Sequence, residues 1–296
     1  MISDSYFEQG ATHEVCEDYA LNGNEYAIIS DGCSNGGGPR IHSDWGARLL
    51  CKAAEELVYH TTDNNIFSHL VGSRANMLMS SLPNLEPNCL TATLMVLRVI
   101  NGNFNAFTIG DGVVGGKRKD GRWKIHLIQF PKGPFYLKYN IFGEEQKFLD
   151  SFGDKYTVGT YFGKLMTPEM NAPELPDYLN RVAEWNQFMA YSEKEYALDI
   201  MSPYNTFEFP VDEYEFAFIC SDGMESFYQP RIDPTRKHNE QICVLDALRV
   251  VMDFVTIRPA FAKLQRQWVF RQDKKGTLMR RKWKNGDDVS VGVIHA

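Results

Sequence analysis

Short apolar runs along the chain, most of them ended by Asp-Gly or Asn-Gly, alternate with segments whose apolar residues recur every three or four positions. The short runs predict β-strands, because a buried strand needs only a few apolar residues bounded by turn-forming residues. Strands are predicted at residues 25–31, 89–100, 104–109, 123–130, 214–221 and 289–295. Asn101-Gly102 lies between two of these runs and predicts a tight hairpin, since both residue types accept positive φ angles.

Apolar residues at helical spacing predict helices at residues 41–59 and 66–82, near 178–191, and at 242–254 continuing to 269. Residues 131–213 carry seven prolines and predict a variable, folded insertion. No repeat, low-complexity tract or Gly/Ser linker divides the chain. The order of strands and helices therefore predicts one α+β domain over residues 1–296, built in layers.

The composition narrows the function classes without naming one. The chain has 38 acidic and 31 basic residues, a net charge of −7, so a general affinity for nucleic acid or anionic lipid is disfavoured. No apolar run reaches the roughly 18 residues of a membrane span, and the first residues do not resemble a signal peptide. The six cysteines are scattered, which favours reduced thiols. We expect a cytoplasmic protein that binds neither nucleic acid nor membrane.

Carboxylates recur at the ends of the predicted strands. Three strands end in Asp-Gly, another is preceded by Asp-Asp, and a Glu-Asp pair precedes the first: Asp31-Gly32, Asp111-Gly112, Asp222-Gly223, Asp287-Asp288 and Glu17-Asp18. Each Asp-Gly alone is a favoured turn. Together they predict convergence at one rim, where the carboxylates would repel unless cations lay between them. Oxygen ligands without a Cys/His pattern favour Mg²⁺ or Mn²⁺.

The order of these motifs resembles the metal-dependent protein Ser/Thr phosphatases of the PPM, or type 2C, class. The resemblance runs from about Gly10 to His295 and is weakest in the insertion. Six segments carry it: HEVCEDYA (13–20), SDGCSNGG (30–37), LTATL (90–94), IGDG (109–112), CSDGM (220–224) and GDDVSVGV (286–293). Any one of them is weak evidence, whereas six in the right order are strong.

This resemblance implies a four-layer α-β-β-α sandwich of two antiparallel sheets with a two-metal centre at one end. A water between two Mg²⁺ or Mn²⁺ ions would become a hydroxide and attack phosphorus in line. The implied ligands are carboxylates and one carbonyl, with Asp31 bridging the ions: Glu17, Asp31, Gly32, Asp222 and Asp287. Asp111 matches the residue that helps to bind a third, weaker ion in some members. The implied partners are a phosphorylated protein substrate and a cognate Ser/Thr kinase.

Several positions depart from the better-known family pattern. His13 stands where many members have an arginine that binds the substrate phosphate, although a bacterial subgroup shares Gly-x-x-His. The resemblance assigns His13 to phosphate binding or leaving-group protonation, and a surface histidine is the alternative. Cys33 replaces a histidine proposed as general acid, and His42 is a substitute for it. Ser226, beside Glu225, replaces an acidic residue, and Asp288 replaces an asparagine.

Three functions are compatible with these residues. The leading hypothesis is a phosphatase acting on phosphoserine and phosphothreonine in proteins, with His13, Asp31 and Asp222 as catalytic residues. One alternative is a pseudo-phosphatase that keeps the fold as a binding or regulatory module. A further alternative keeps the metals but acts on a small phosphorylated metabolite or a phosphodiester, and the acidic charge disfavours a nucleic-acid polymer.

Overall fold

A computed structural model describes most of the chain. The described residues are 1–10, 15–33, 43–164, 189–229, 240–241, 269–272, 278–281, 284–285 and 287–296. His13 and His42 lie outside these ranges, as do the predicted helix at 242–254 and its continuation up to residue 268.

The described elements are mostly strands. The strands are β1 (Ile2–Glu8), β2 (Tyr19–Gly23), β3 (Tyr26–Ser30), β4 (Leu94–Ile100), β5 (Asn103–Ile109), β6 (Gly112–Arg118), β7 (Arg122–Gln129), β8 (Lys155–Lys164), β9 (Met189–Ala197), β10 (Asn205–Pro210), β11 (Tyr214–Cys220), β12 (Phe227–Gln229), β13 (Glu240–Gln241), β14 (Val269–Gln272), β15 (Leu278–Arg281), β16 (Lys284–Asn285) and β17 (Val289–His295). The α-helices are α1 (Ser43–Leu57), α2 (Asn64–Ser80), α3 (Leu137–Phe142) and α4 (Glu145–Phe152), and short 3-10 helices cover Pro87–Leu90 and Asp222–Ser226.

Two antiparallel sheets form the body of the fold. The larger has seven strands in the order β1-β17-β11-β6-β7-β8-β9, and the other has five in the order β10-β5-β4-β3-β2. Smaller pairings join β13-β12-β16 and β14-β15. The last strand, β17, lies between β1 and β11, so the two ends of the described chain pair with each other.

The five-stranded sheet is buried on both faces, which explains why β3 is apolar without alternation. Ile28 packs with Leu50 of α1 and Phe67 of α2 in a core between helices and sheet. Its neighbour Ile29 points the other way and packs with Ile219 of the seven-stranded sheet. Because consecutive strand residues face opposite sides, one short strand contributes to both cores. This arrangement confirms the predicted two-sheet sandwich with flanking helices.

The predicted elements match where the pattern was periodic. The helices at 41–59 and 66–82 correspond to α1 and α2, and the hairpin at Asn101-Gly102 joins β4 to β5, with Asn101 at φ 50°. The strand predicted at 89–100 was too long, because Cys89 and Leu90 lie in a 3-10 helix and β4 begins at Leu94. The helix predicted near 178–191 was wrong at its end, where residues 189–191 belong to β9.

Residues 131–213 are not a simple surface loop in their described parts. They supply α3 and α4, the edge strand β9 of one sheet together with its inner neighbour β8, and the edge strand β10 of the other sheet. Among the described helices, none combines the length and apolar character needed to span a membrane.

Candidate metal centre

Asp31 directly follows β3 and is fixed by the segment that leads into β4. Its backbone N–H donates to Thr93 Oγ1 at 3.1 Å, and its carbonyl accepts from the Thr93 N–H at 2.8 Å. Gly32 forms an isolated antiparallel bridge with Ala92. The small-residue sequence Thr-Ala-Thr at 91–93 therefore holds the first Asp-Gly turn in place through its backbone and one hydroxyl.

Asp222 follows β11 and is held against the start of β17. The Ser221 N–H donates to the Ser290 carbonyl at 3.0 Å, and the Ser290 N–H donates to Ser221 Oγ at 2.9 Å. A Cβ at Gly223 would lie 1.7 Å from the Asp288 carbonyl oxygen. The second glycine thus permits a close backbone approach that any side chain would prevent.

The segment that carries Glu17 is held by Asp288. Asp288 Oδ1 accepts from the Gly10 N–H and Oδ2 accepts from the Glu17 N–H, each at 2.5 Å. Asp18, the next residue, accepts a hydrogen bond from Ser221 Oγ at 2.9 Å through its Oδ2. The start, middle and end of the chain therefore meet at this rim of the sandwich.

Three carboxyl groups from these segments are in contact. The Asp31 side chain hydrogen-bonds those of Asp18 and Asp222. Burial, more than any other influence, raises the pKa of Asp31 well above its ordinary value, and the charges of Asp18 and Asp222 raise it further. Burial also raises the pKa of Asp18 to about 7. The site concentrates negative charge in a place where water cannot fully solvate it.

Asp111 lies at the margin of this cluster. Burial raises its pKa to about 8, with further contributions from the charges of Asp222, Glu225 and Asp287. Glu225 accepts hydrogen bonds from Gln129 Nε2 at 3.3 Å through both carboxylate oxygens. Ser226 stands where the family has an acidic residue. The charge of the adjacent Glu225 acts on Asp111 instead.

The residues present fit a divalent cation. Within the described residues, Asp18 Oδ1 and Asp222 Oδ1 are buried oxygens without a hydrogen-bond donor, and such atoms normally have partners. Among the described residues, no group of three His, Cys, Asp or Glu side chains is already spaced as a metal site; Asp18 and Asp222 instead hydrogen-bond to Asp31. Two carboxyls in contact share a proton, and a hard cation with oxygen ligands would replace it.

The structure places the predicted residues as follows. Asp31 and Asp222 are in contact, and Asp111 lies close enough to Asp222 and Asp287 for their charges to interact. Glu17 is 5% exposed, and its charge acts on Cys33. His13 and His42 fall outside the described residues. The metal-binding roles of Glu17, Asp31, Gly32, Asp111, Asp222 and Asp287 stay predictions.

Sequence reasoning missed two residues of this centre. Asp18 is 1% exposed and contacts Asp31 directly, yet only Glu17 of the acidic pair was assigned a role. Asp288 was noticed only as an added charge, although both of its oxygens bind backbone N–H groups. The doubled acids at 17–18 and 287–288 were the available signal.

The chain matches a known protein family over most of its length. Residues 9–247 match the family model described as Protein phosphatase 2C. No protein with a curated description matches the chain. The chain is similar to the serine/threonine phosphatase PstP/Ppp of Mycobacterium tuberculosis, with 12% identity, a TM-score of 0.43 and coverage of 99% of this chain and 97% of that one.

Two further structures are similar. One is the PPM Ser-Thr phosphatase MsPP of Mycobacterium smegmatis in complex with cacodylate, with 11% identity, a TM-score of 0.45 and coverage of 100% and 98% of the two chains. The other is the catalytic domain of PstP in complex with two manganese ions, with 14% identity, a TM-score of 0.41 and coverage of 99% and 96%.

The family model spans well over half of the chain and contains Glu17, Asp18, Asp31, Asp111 and Asp222. The carboxyl cluster of the structure is formed by three of these residues. The chain belongs to the protein phosphatase 2C family, the metal-dependent protein Ser/Thr phosphatases that its acidic motifs resemble.

Proposed function

We propose that this protein hydrolyses phosphoserine and phosphothreonine in phosphorylated proteins, using the carboxylate cluster around Asp31 to hold two Mg²⁺ or Mn²⁺ ions. The observation that carries the proposal is the contact of Asp31 with both Asp18 and Asp222, which come from three remote segments of one family motif set. When bound, the ions would neutralise phosphoryl charge and acidify a water molecule.

The proposed ligands form two groups, one for each ion, and Asp31 belongs to both. The Gly32 carbonyl and Glu17 would serve one ion, and Asp222 and Asp287 the other, with Asp31 shared between them. Asp18 contacts Asp31 and is fixed by Ser221, so it supports the shared ligand. Asp111 would help a third, weaker ion, and His13 would contact the substrate phosphate, with His42 as the alternative proton donor. The cognate kinase and the single-domain organisation over residues 1–296 belong to this proposal.

The decisive experiment measures metal-dependent hydrolysis. The protein is freed of metal with EDTA and assayed with a phosphothreonine peptide and p-nitrophenyl phosphate, with and without Mn²⁺ or Mg²⁺. We expect hydrolysis only with metal, and a loss of about a hundredfold or more in Asp31→Asn and Asp222→Asn, because both remove a ligand charge. Asp150→Asn on α4, an exposed position, is the matched control and should behave like the wild type.

The outcomes separate the alternatives. Hydrolysis that persists in Asp31→Asn would contradict the proposed centre. Mn²⁺ binding without turnover on any phosphoester would instead identify a binding module. A rate on nucleotides or sugar phosphates far above that on the phosphopeptide would point to a metabolite phosphatase.

A further inference from the structure

The first turns of α1 lie at the rim of the sandwich that holds the carboxylate cluster. A Cβ at Gly46 would lie only 1.6 Å from the Cys89 carbonyl oxygen, so the helix approaches this backbone more closely than a side chain would allow. Two residues after Cys89, the Thr91 carbonyl accepts the Cys33 N–H at 2.9 Å. The start of α1 is therefore packed against the segment that holds the loop after Asp31.

Arg48 is anchored over Tyr19 at the same rim. Its guanidinium carbon lies 4.9 Å from the centre of the Tyr19 ring. One turn further along α1, the Cys51 thiol donates to the Tyr19 carbonyl at 3.8 Å. Tyr19 is the first residue of β2 and pairs with Ser30, the last residue of β3 before Asp31. A cation therefore lies beside the strand end that leads to Asp31.

The distance from this cation to the cluster follows from the strand pairing. Opposite residues of antiparallel strands lie about 5 Å apart, and consecutive residues about 3.8 Å. Tyr19 and Cys33 both pack against the core on the helix side of the five-stranded sheet. The Arg48 guanidinium thus lies on that side, on the order of 10 Å from the Asp31 backbone. An extended peptide advances about 3.3 Å per residue, so a side chain about two or three residues from the phosphorylated one would be level with Arg48.

Electrostatic effects agree with this position. Burial raises the pKa of the Cys16 thiol most, and the charges of Asp288 and Asp18 raise it further. The charge of Arg48 lowers it, so Cys16, directly before Glu17, lies within reach of both the acidic cluster and Arg48. A chain of net charge −7 repels an anionic substrate overall. Arg48 supplies a local attraction at the rim where the substrate would bind.

Trp45 stands one turn before Arg48 on the same helix. Residues three apart in a helix lie on one face. Trp45 is 42% exposed, and Arg48 is half-buried. An indole and a guanidinium at this spacing offer an apolar surface and a positive charge side by side. We call Trp45 and Arg48 together the α1 surface.

We propose that the α1 surface recognises the residues that flank the phosphorylated serine or threonine, and that the preferred substrate segment is acidic. This inference rests on the proposed phosphatase activity and names the substrate class of the same site. A guanidinium carries five N–H groups in a planar fork, so Arg48 can bind a carboxylate of the substrate bidentately while its face stays on the Tyr19 ring. Trp45 packs against the aliphatic part of a neighbouring peptide residue.

The test compares two phosphoserine peptides that differ only in charge. One has Glu and the other has Gln at the positions two and three residues to either side of the phosphoserine. With wild-type protein and Mn²⁺, we expect kcat/KM to be about tenfold higher for the Glu peptide, because charge-assisted hydrogen bonds are the stronger ones. In Arg48→Gln this ratio should fall to within about twofold of one, mainly through KM, and in Arg48→Glu it should fall below one.

Arg74→Gln is the matched control. Arg74 pairs with Glu56, which lies eight residues beyond Arg48 and therefore about 12 Å further along α1. This variant removes the same charge and should keep the ratio of the wild type. Trp45→Ala should raise KM about fivefold for both peptides without changing their ratio, because its contact is apolar.

A substrate without flanking residues separates recognition from folding. The rate on p-nitrophenyl phosphate should change less than about threefold in these variants, since the α1 surface does not reach it. If Arg48→Gln does not fold, Arg48→Lys keeps the charge but loses the fork, and the ratio should fall to about threefold.

An equal loss on both peptides and on p-nitrophenyl phosphate in a folded Arg48 variant would assign Arg48 to the reacting phosphate and overturn the inference. An unchanged ratio in the Arg48 variants would also overturn it, as would an equal fall in Arg74→Gln, which would show an effect of net charge alone. A wild type that hydrolyses p-nitrophenyl phosphate but does not distinguish the peptides rejects the α1 surface alone. A wild type that hydrolyses no substrate with Mn²⁺ rejects the phosphatase proposal and this inference together.

Discussion

Asp288 holds both ends of the segment that carries Glu17, by accepting the backbone N–H groups of Gly10 and Glu17 on its two oxygens. The residue is 2% exposed, so water cannot replace either hydrogen bond. A carboxylate suits this position better than the asparagine that the family has, because an amide offers one acceptor atom and one donor group. The position of Glu17 therefore depends on Asp288.

We predict that Asp288→Asn weakens Mn²⁺ binding about tenfold, since groups that orient metal ligands commonly contribute 10- to 100-fold in affinity. Calorimetric titration with Mn²⁺ measures it. The matched control is Asp199→Asn, which changes an exposed aspartate whose Oδ1 also accepts a backbone N–H, that of Met201 at 3.0 Å. Wild-type affinity in Asp288→Asn would show that Glu17 is placed by other contacts.

His126 is a second residue of interest, because its surroundings change its pKa and thereby the stability of the protein at low pH. Its ring stacks on Phe207 with 4.5 Å between centroids, and Nδ1 lies 3.0 Å from Thr160 Oγ1. Burial lowers its pKa to about 4, because the protein interior disfavours the charged ring. The unfolded chain binds the proton near pH 6.5, so acid favours unfolding.

We therefore predict that the protein loses up to about 3 kcal/mol of stability from His126 as the pH falls from about 7 towards 4. The sign follows because the unfolded state holds more protons than the folded state between the two pKa values. Urea unfolding at several pH values should show a smaller loss in His126→Asn. His60→Asn, an exposed histidine, is the control. A pH dependence identical in all three proteins would contradict this account.

At the level of single residues, the Asp-Gly motifs of the site could be predicted from the sequence, but the residues in contact with them could not. Asp31 and Asp222 were predictable because each ends an apolar run. Asp18 was not, since nothing local shows that it would contact Asp31. Such contacts depend on how remote segments pack, and one sequence carries no record of that.

At the level of elements, the connection between α1 and α2 depends on a buried arginine of β4. Arg98 is 2% exposed and donates to the Val58 and Thr61 carbonyls at 2.9 and 2.8 Å and to Asn64 Oδ1 at 3.0 Å. Its guanidinium also lies 4.4 Å from the centre of the Phe67 ring. One side chain thus satisfies the backbone of a turn that joins two helices.

Arg98→Met should lower the free energy of unfolding by about 3 kcal/mol, because two buried carbonyl groups lose their donors. Chemical denaturation measures the loss. Arg122→Met removes a half-exposed arginine paired with Asp120, and we expect less than about 1 kcal/mol there. Mn²⁺ affinity should be unchanged in both folded variants. A neutral effect of Arg98→Met would mean that the turn is held by packing alone.

Periodic elements were the predictable ones. The strand predicted at 289–295 has the same bounds as β17, since its apolar run follows polar turn residues. By contrast, β1 was missed because its sequence, ISDSYFE, has one fully buried position, Ser5. β6 was missed because it contains Gly115 and Gly116, and a Cβ at Gly115 would lie 2.6 Å from Phe218. Close packing against the neighbouring strand requires glycine here, and the glycines interrupt the apolar pattern from which a strand would be predicted.

At the level of the whole molecule, the carboxylate cluster lowers the free energy of unfolding of the metal-free protein. Asp18, Asp31 and Asp222 bring acidic groups into contact away from water, and bringing like charges together opposes folding. A bound divalent ion removes that cost and stabilises the folded state by mass action. Stability and metal binding are therefore linked through the same three residues.

We predict that Mn²⁺ at about a hundredfold excess over its Kd raises the Tm by roughly 5 °C. Without metal, Asp31→Asn should melt at a higher temperature than the wild type, because it removes a buried carboxyl that must either repel its neighbours or take up a proton, and Mn²⁺ should no longer raise its Tm. Thermal denaturation with EDTA or Mn²⁺ measures both effects. A metal-free Asp31→Asn that melts below the wild type would contradict the account.

The pairing of β1 with β17, together with Asp288 reaching Gly10 and Glu17, has a consequence for synthesis. A chain emerging from the ribosome has its first strand long before the partner of that strand exists. Until residues 287–295 have been translated, Glu17 has no anchor and the seven-stranded sheet lacks an inner strand. Contacts so distant along the polypeptide close slowly, so the nascent protein should stay catalytically silent until translation has passed these residues.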